Sequence, residues 1–144
     1  MLQHWFDEAH VGGAALALAL MDIDHLKRIN DAYGHEVGDA VLSAIGKALS
    51  EQDQAQCFAA RQGGEEFLLA GIGLGPAQAR ALFERMRQRL ATIGVDAQGT
   101  TVRCTASMGM AMSDEAPSRR EVLALADRRL YQAKRQVRDR LVGR

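Results

Sequence analysis

The sequence predicts an α/β fold in which helices cover a mixed central sheet, and three observations carry that prediction. The run Ala14 to Asp24 is apolar almost to its end, short, and bounded by Gly-Gly and by polar residues, as a buried central strand would be. Gly63-Gly64 separates two apolar runs, Cys57 to Ala60 and Phe67 to Ala70, which is the pattern of a tight antiparallel hairpin. Elsewhere apolar residues recur at helical spacing. Helices interleaved with a hairpin imply a mixed sheet in an α/β layer arrangement.

At 144 residues the chain reads as one domain, 1–144, long enough to bury a core. Its formal net charge of zero gives no basic field for nucleic acid. Cys57 and Cys104 lie far apart in apolar contexts and read as reduced core thiols of a cytoplasmic protein. The longest apolar run, Ala14 to Met21, falls short of the roughly 18 residues a membrane span needs, and no cleavable targeting segment is visible.

In chain order, Leu2 to Ala9 reads as a short helix broken by Gly12-Gly13. Ala14 to Asp24 is the strand, although Ala and Leu favour helix. His25 to Tyr33 follows as a helix, with Asp24 as its cap and Gly34 as its left-handed end. His35 to Gly38 is expected to be a linker turn, and Asp39 the N-cap of a helix Ala40 to Ser50. Gln56 to Ile72 is the hairpin. With Gly63 and Gly64 as its loop, Gln62 faces Glu65, Arg61 faces Glu66 and Ala60 faces Phe67, with both Glu exposed at the tip. Pro76 opens a helix to about Ile93 whose Arg80, Glu84, Arg85, Arg87 and Arg89 form a solvated face. Thr100 to Met112 is one strand, in which Gly109 either bends the chain or admits a close neighbour. Ser118 and Glu121 form a capping box for a helix to about Gln136. Arg138 to Val142 reads as a short final strand.

Asp22 and Asp24 are two apart and point to one face of an ideal strand. With the Ile23 carbonyl they offer hard oxygen ligands suited to Mg²⁺. Glu65 and Glu66 complete the set if the hairpin lies beside that strand. Without the hairpin the plainer reading is favoured, in which Asp22 ends the strand and Asp24 caps a helix. The backbone N–H groups of His25, Leu26 and Lys27 open a helix and can bind phosphate oxygens. Lys134 and Arg138 are four apart and share a helical row if the helix reaches that far, which gives cations for a triphosphate. A carboxylate at Asp39, with Asn30, can accept from the paired donors of guanine, which adenine lacks.

These blocks together resemble a known family. Met21-Asp22-Ile23-Asp24-His25-Leu26-Lys27-Arg28-Ile29-Asn30-Asp31-Ala32-Tyr33-Gly34-His35, with Gly38-Asp39, is similar to the first signature of GGDEF-domain diguanylate cyclases. Gly63-Gly64-Glu65-Glu66-Phe67 matches their motif in its GGEEF form, Ala106 to Ala111 their S-x-G-x-A strand, and Ala126 to Arg135 their C-terminal block. The resemblance runs from about Leu2 to Val142. It implies a fold like nucleotide cyclase and polymerase palm domains (ferredoxin-like), and condensation of two GTP into cyclic di-GMP with release of two pyrophosphates. It implies that Asp22, the Ile23 carbonyl, Glu65 and Glu66 hold Mg²⁺, or Mn²⁺ in its place, and that Glu65 deprotonates the ribose 3′-hydroxyl. By the same resemblance Asn30 and Asp39 read guanine. His25, Leu26, Lys27, Lys134 and Arg138 hold phosphates, and Gly63, Gly64 and His35 lie near the nucleotide. Each domain takes one GTP, so the active form is a homodimer.

The chain departs from the family in four places. The family's D-x-L-T-G-L-x-N-R entry segment is missing before Leu2, as in a catalytic domain cut from a longer protein that could sit at a membrane. Val137 and Asp139 stand where Gly and Asn are common, and Leu26 replaces a common Phe. The family's R-x-x-D product site corresponds to Gln54-Ala55-Gln56-Cys57, which has no guanidinium and no carboxylate. Product is therefore expected only at the active site. The competing readings are a degenerate GGDEF module that binds GTP or cyclic di-GMP without turnover, and a structural dimerisation domain.

Overall fold

The computed structural model describes residues 15–51, 57–136 and 138–143. The expected helix Leu2 to Ala9, the Gln54 to Gln56 part of the degenerate product motif, and Val137 lie outside them. In order come β1 (Leu16–Ile23), α1 (Leu26–Tyr33), α2 (His35–Ser50), β2 (Cys57–Gly63), β3 (Glu66–Ile72), α3 (Pro76–Leu90), β4 (Val95–Ala97), β5 (Thr100–Val102), β6 (Ala106–Met112), α4 (Arg119–Gln136) and β7 (Leu141–Val142). The main sheet runs β2-β3-β1-β6-β7. Its pairs are antiparallel except β6 with β7, so the sheet is mixed as expected.

β1 is the central strand, and tertiary burial overrides its helix-favouring composition. Ala17, Ala19, Met21 and Ile23 point into a core shared with α1, α2 and α3. Leu16, Leu18 and Leu20 point to the other face and pack with Val122, Ala126 and Leu130 of α4. Gly109 on β6 admits the α4 backbone: a Cβ there would overlap the Ala126 carbonyl and the Leu130 amide. Of the two roles expected for Gly109, the close neighbour is the one observed. Ser118 accepts the Glu121 N–H at 3.2 Å, so the hydroxyl half of the capping box forms.

Several expectations are corrected. The Thr100 to Met112 stretch is not one strand; β5 turns back on β4 as a separate two-stranded hairpin, and β6 begins only at Ala106. The α3 helix stops at Leu90, and β7 covers only Leu141–Val142. α2 begins at His35, so no linker turn exists there and Asp39 is an exposed position inside the helix, not its cap. Gly34, with φ 94° and ψ 160°, has a positive φ but not the left-handed helical pair. Asp24 does not cap α1: His25 holds the N-cap position at φ 58°, without a side-chain cap bond. A bulge between Arg61 and Gly63 pairs Gly63 with Glu66 and Arg61 with Phe67, so the expected Arg61–Glu66 pair does not form. Arg61 instead donates to the Gly64 carbonyl at 2.8 Å.

Candidate functional site

The strand register builds the site. β1 and β3 pair Asp22 directly with Glu66, at the end of the sheet where β1 leaves for α1. Glu65 follows Gly64 in the turn that leads into β3, and neither Glu is fully exposed. This differs from the exposed tip expected from the sequence; Glu66 lies on β3 opposite Asp22 of β1. Burial raises the Glu65 pKa, and the Asp22 charge and a carboxyl–carboxyl contact with Asp22 raise it further; Lys134 pulls it back. Glu66 is raised by burial first, then by the charges of Asp127 and Asp22, again opposed by Lys134. Three acids therefore compete for limited positive charge. A cavity of about 340 Å³, lined by Leu20, Gln62, Gly63, Glu66 and Leu123, opens beside Glu66.

Lys134 on the last turn of α4 places its Nζ 3.4 Å from Asp22 Oδ2 and 3.9 Å from Asp24 Oδ1. The other Asp22 oxygen, Oδ1, is buried with no hydrogen-bond partner. An orphaned anionic oxygen is costly unless a cation or donor joins it. That orphan, the two acids with raised pKa values and the all-oxygen donor set fit a hard divalent cation. Asp22, the Ile23 carbonyl and Glu65 would hold it, with Glu66 close by. Among the described residues no three His, Cys, Asp or Glu side chains already converge as a closed cage.

Asp24 behaves differently from its neighbour two residues back. It is 2 % exposed and accepts from Thr105 Oγ1 and Ser107 Oγ, both at 2.7 Å, and from the Asp139 N–H at 2.9 Å. Sequence reasoning missed this hub. Its signal was the Thr105–Ser107 alternation, which puts two hydroxyls on one face of the chain entering β6. The α3 charge face is also more than solvated surface: Arg87 is only 13 % exposed and pairs with both Glu84 and Asp139, while Arg80 donates to the Leu141 carbonyl at 3.3 Å.

The remaining expected residues lie in two further places. Asn30 on α1 lies against Gly38 of α2, where a Cβ would overlap its Oδ1, and the exposed Asp39 is the next residue along α2. His25, Lys27 and His35 are exposed around the start of α1 and α2, and Leu26 is buried. Lys134 and Arg138 do not share a helical row, because α4 ends at Gln136 and Arg138 turns back with φ 63°. Arg138 stays beside the helix end through its N–H, which donates to the Ala133 carbonyl at 3.0 Å. Gly63 and Gly64 are exposed at φ 142° and 53°. A larger cavity, about 480 Å³, lies against α1 and includes Asp24, Arg28, Tyr33, Arg103 and Thr105; Asp22, Glu65 and Glu66 do not line it.

Comparison with known proteins adds an independent line. The family profile described as "Diguanylate cyclase, GGDEF domain" matches residues 1–140. The chain is 39% identical over 132 residues to Diguanylate cyclase DgcP of Pseudomonas aeruginosa, covering 92% of this chain and 20% of that protein. It is 32% identical over 149 residues to Probable diguanylate cyclase DgcT of Escherichia coli, covering 98% of this chain and 33% of that protein. The chain thus spans a fifth to a third of these relatives. Among solved structures, the GGDEF domain of DgcB from Caulobacter crescentus, in complex with c-di-GMP, superposes with a TM-score of 0.91 at 30% identity, covering 99% of this chain and 85% of that one. Diguanylate cyclase SiaD from Pseudomonas aeruginosa, in complex with its activator SiaC, gives a TM-score of 0.94 at 31% identity, covering 99% and 55%.

Proposed function

The chain belongs to the diguanylate cyclase GGDEF-domain family, and from that premise we propose that it condenses two GTP into cyclic di-GMP with release of two pyrophosphates. The observation that carries this reading is the meeting of Asp22, Glu65, Glu66 and Lys134 where β1 pairs with β3.

The proposed roles are those that the family resemblance implies for these residues. Asn30 and Asp39 accept guanine donors, so ATP is a poor substrate. The N–H groups of His25, Leu26 and Lys27, with Lys134 and Arg138, bind the triphosphate, and His35, Gly63 and Gly64 border the nucleotide. Glu65, with its pKa raised by burial and Asp22, accepts the proton of the ribose 3′-hydroxyl. The 3′-oxygen attacks the α-phosphate of the second GTP, and pyrophosphate leaves. The same step in the other direction closes the ring. A bound Mg²⁺ or Mn²⁺ supplies Lewis-acid stabilisation of the attacking and leaving oxygens. Each chain presents one GTP, so two chains must face each other across a two-fold axis. Cys57 is half-buried, and burial raises its pKa; it offers no carboxylate for a separate product site. Product inhibition should then be competitive with GTP.

Among the described residues no helix is long and apolar enough to cross a membrane. The proposed use of GTP as substrate is what places the domain in the cytoplasm. Incubation with GTP or ATP and Mg²⁺, followed by chromatography, tests the reading. Cyclic di-GMP from GTP alone supports it. Bound but unconverted GTP would indicate a sensor module instead.

A further inference from the structure

Arg138 and Asp139 are consecutive non-glycine residues at φ 63° and 46°. That left-handed conformation is unfavourable for any side chain and persists only where the surroundings enforce it. Here the enforcement comes from several sides. The Arg138 N–H closes the end of α4 on Ala133, and the Arg140 carbonyl accepts the Met108 N–H of β6 at 2.9 Å. The Asp139 N–H donates to buried Asp24. The Asp139 carboxylate pairs with Arg87 of α3, which a two-point contact with Glu84 holds in place. Asp24 also lies 3.9 Å from the Lys134 ammonium. One buried carboxylate thus touches both the Lys134 side chain and the backbone of the Arg138 turn.

We propose that Asp24 and Arg87 are positioning residues that hold Lys134 and the Arg138–Asp139 turn in place for the triphosphate. Their present contacts are all to protein groups, so they act through the two cations. This inference rests on the GTP reading given above. Its physical basis is that a cation on a strained turn binds phosphate well only if the turn is held before the ligand arrives.

The test is calorimetric titration of the full chain with two probes. One is the α,β-methylene analogue of GTP, which cannot lose pyrophosphate; the other is guanosine, which has no phosphate. Arg87→Met should weaken the triphosphate analogue about fivefold or more, leave guanosine affinity unchanged, and recover part of the loss as Arg87→Lys. Asp139→Asn breaks the same ion pair on a half-exposed side chain and should reproduce the effect even if Arg87→Met fails to fold. Asp24→Asn should show the same selective loss, larger in size. If Arg87→Met and Asp139→Asn bind both probes as the wild type does, or lose both equally, the positioning role is overturned. A wild-type chain that binds neither probe overturns the GTP reading, and this inference with it.

Discussion

Two turns contribute to the proposed site, and they are built in opposite ways. The Gly63–Glu65 turn presents carboxylates. Its positive φ angles fall on glycines, which adopt them at little cost, and the Arg61 bond to the Gly64 carbonyl is its local tie. The Arg138–Asp139 turn presents a cation. Its positive φ angles fall on residues with full side chains, and Asp24, Ala133 and Arg87 hold it from different elements. One turn is thus cheap to form, whereas the other is strained and fixed by tertiary contacts. In the proposed reaction, the glycine turn carries the groups that meet metal and the ribose hydroxyl. The fixed turn carries the charge that anchors phosphate.

The largest expected effect is on the glycine turn. Glu65→Gln should lower cyclase turnover by about a thousandfold while the fold is retained, because little packing is lost. Near-normal turnover in the folded variant would remove Glu65 from the chemistry. Next, Arg138→Gly should relax the fixed turn and cost GTP affinity about tenfold, with stability unchanged or slightly raised. A destabilised variant with normal GTP affinity would reverse the roles assigned to strain and charge. Third, Gly64→Ala places a side chain at φ 53° and should cost about 1 kcal/mol of stability in denaturant unfolding; no loss would mean that the turn is not set by glycine.

The smallest effect is electrostatic. The folded pKa values of Glu65 and Glu66 are raised above the unfolded ones, so the folded chain favours their protonated forms. That contribution is complete below the ordinary glutamate value and is lost as pH rises through the raised folded values. With chelator present, the stability of Glu65→Gln relative to wild type should therefore grow as pH rises through that window. A constant difference would show that the Glu65 carboxyl is not raised in the folded chain.

Elements with their own periodicity were legible in the sequence. The α2 and α4 stripes, the hairpin and the role of Ser118 follow from local pattern, and buried β1 was legible from its bounded apolar run despite its composition. What escaped was decided by contacts between distant segments. The bulge that moves Arg61 away from Glu66 has no local signal, since Gly63 and Gly64 suit either register. Asp39 looked like a cap because Asp commonly is one, yet α2 starts a turn earlier at His35. Asp24 looked like a cap for the same reason, and its real partners, Thr105, Ser107 and Asp139, lie more than 80 residues away in the chain. The hairpin does lie beside β1, with Asp22 opposite Glu66, and Lys134 lies 3.4 Å from Asp22; that these residues act as one site is the proposal made above. The Lys134–Arg138 helical row was not correct, because α4 ends between them.

The most direct measurement is a crystal structure of the chain with the α,β-methylene analogue of GTP and Mn²⁺, whose anomalous signal marks the metal. Metal is expected on Asp22 and Glu65, guanine on Asn30 and Asp39, and the triphosphate on Lys134 and Arg138. Nucleotide bound away from the β1–β3 end, or metal absent from Asp22 with nucleotide present, would contradict the proposed site.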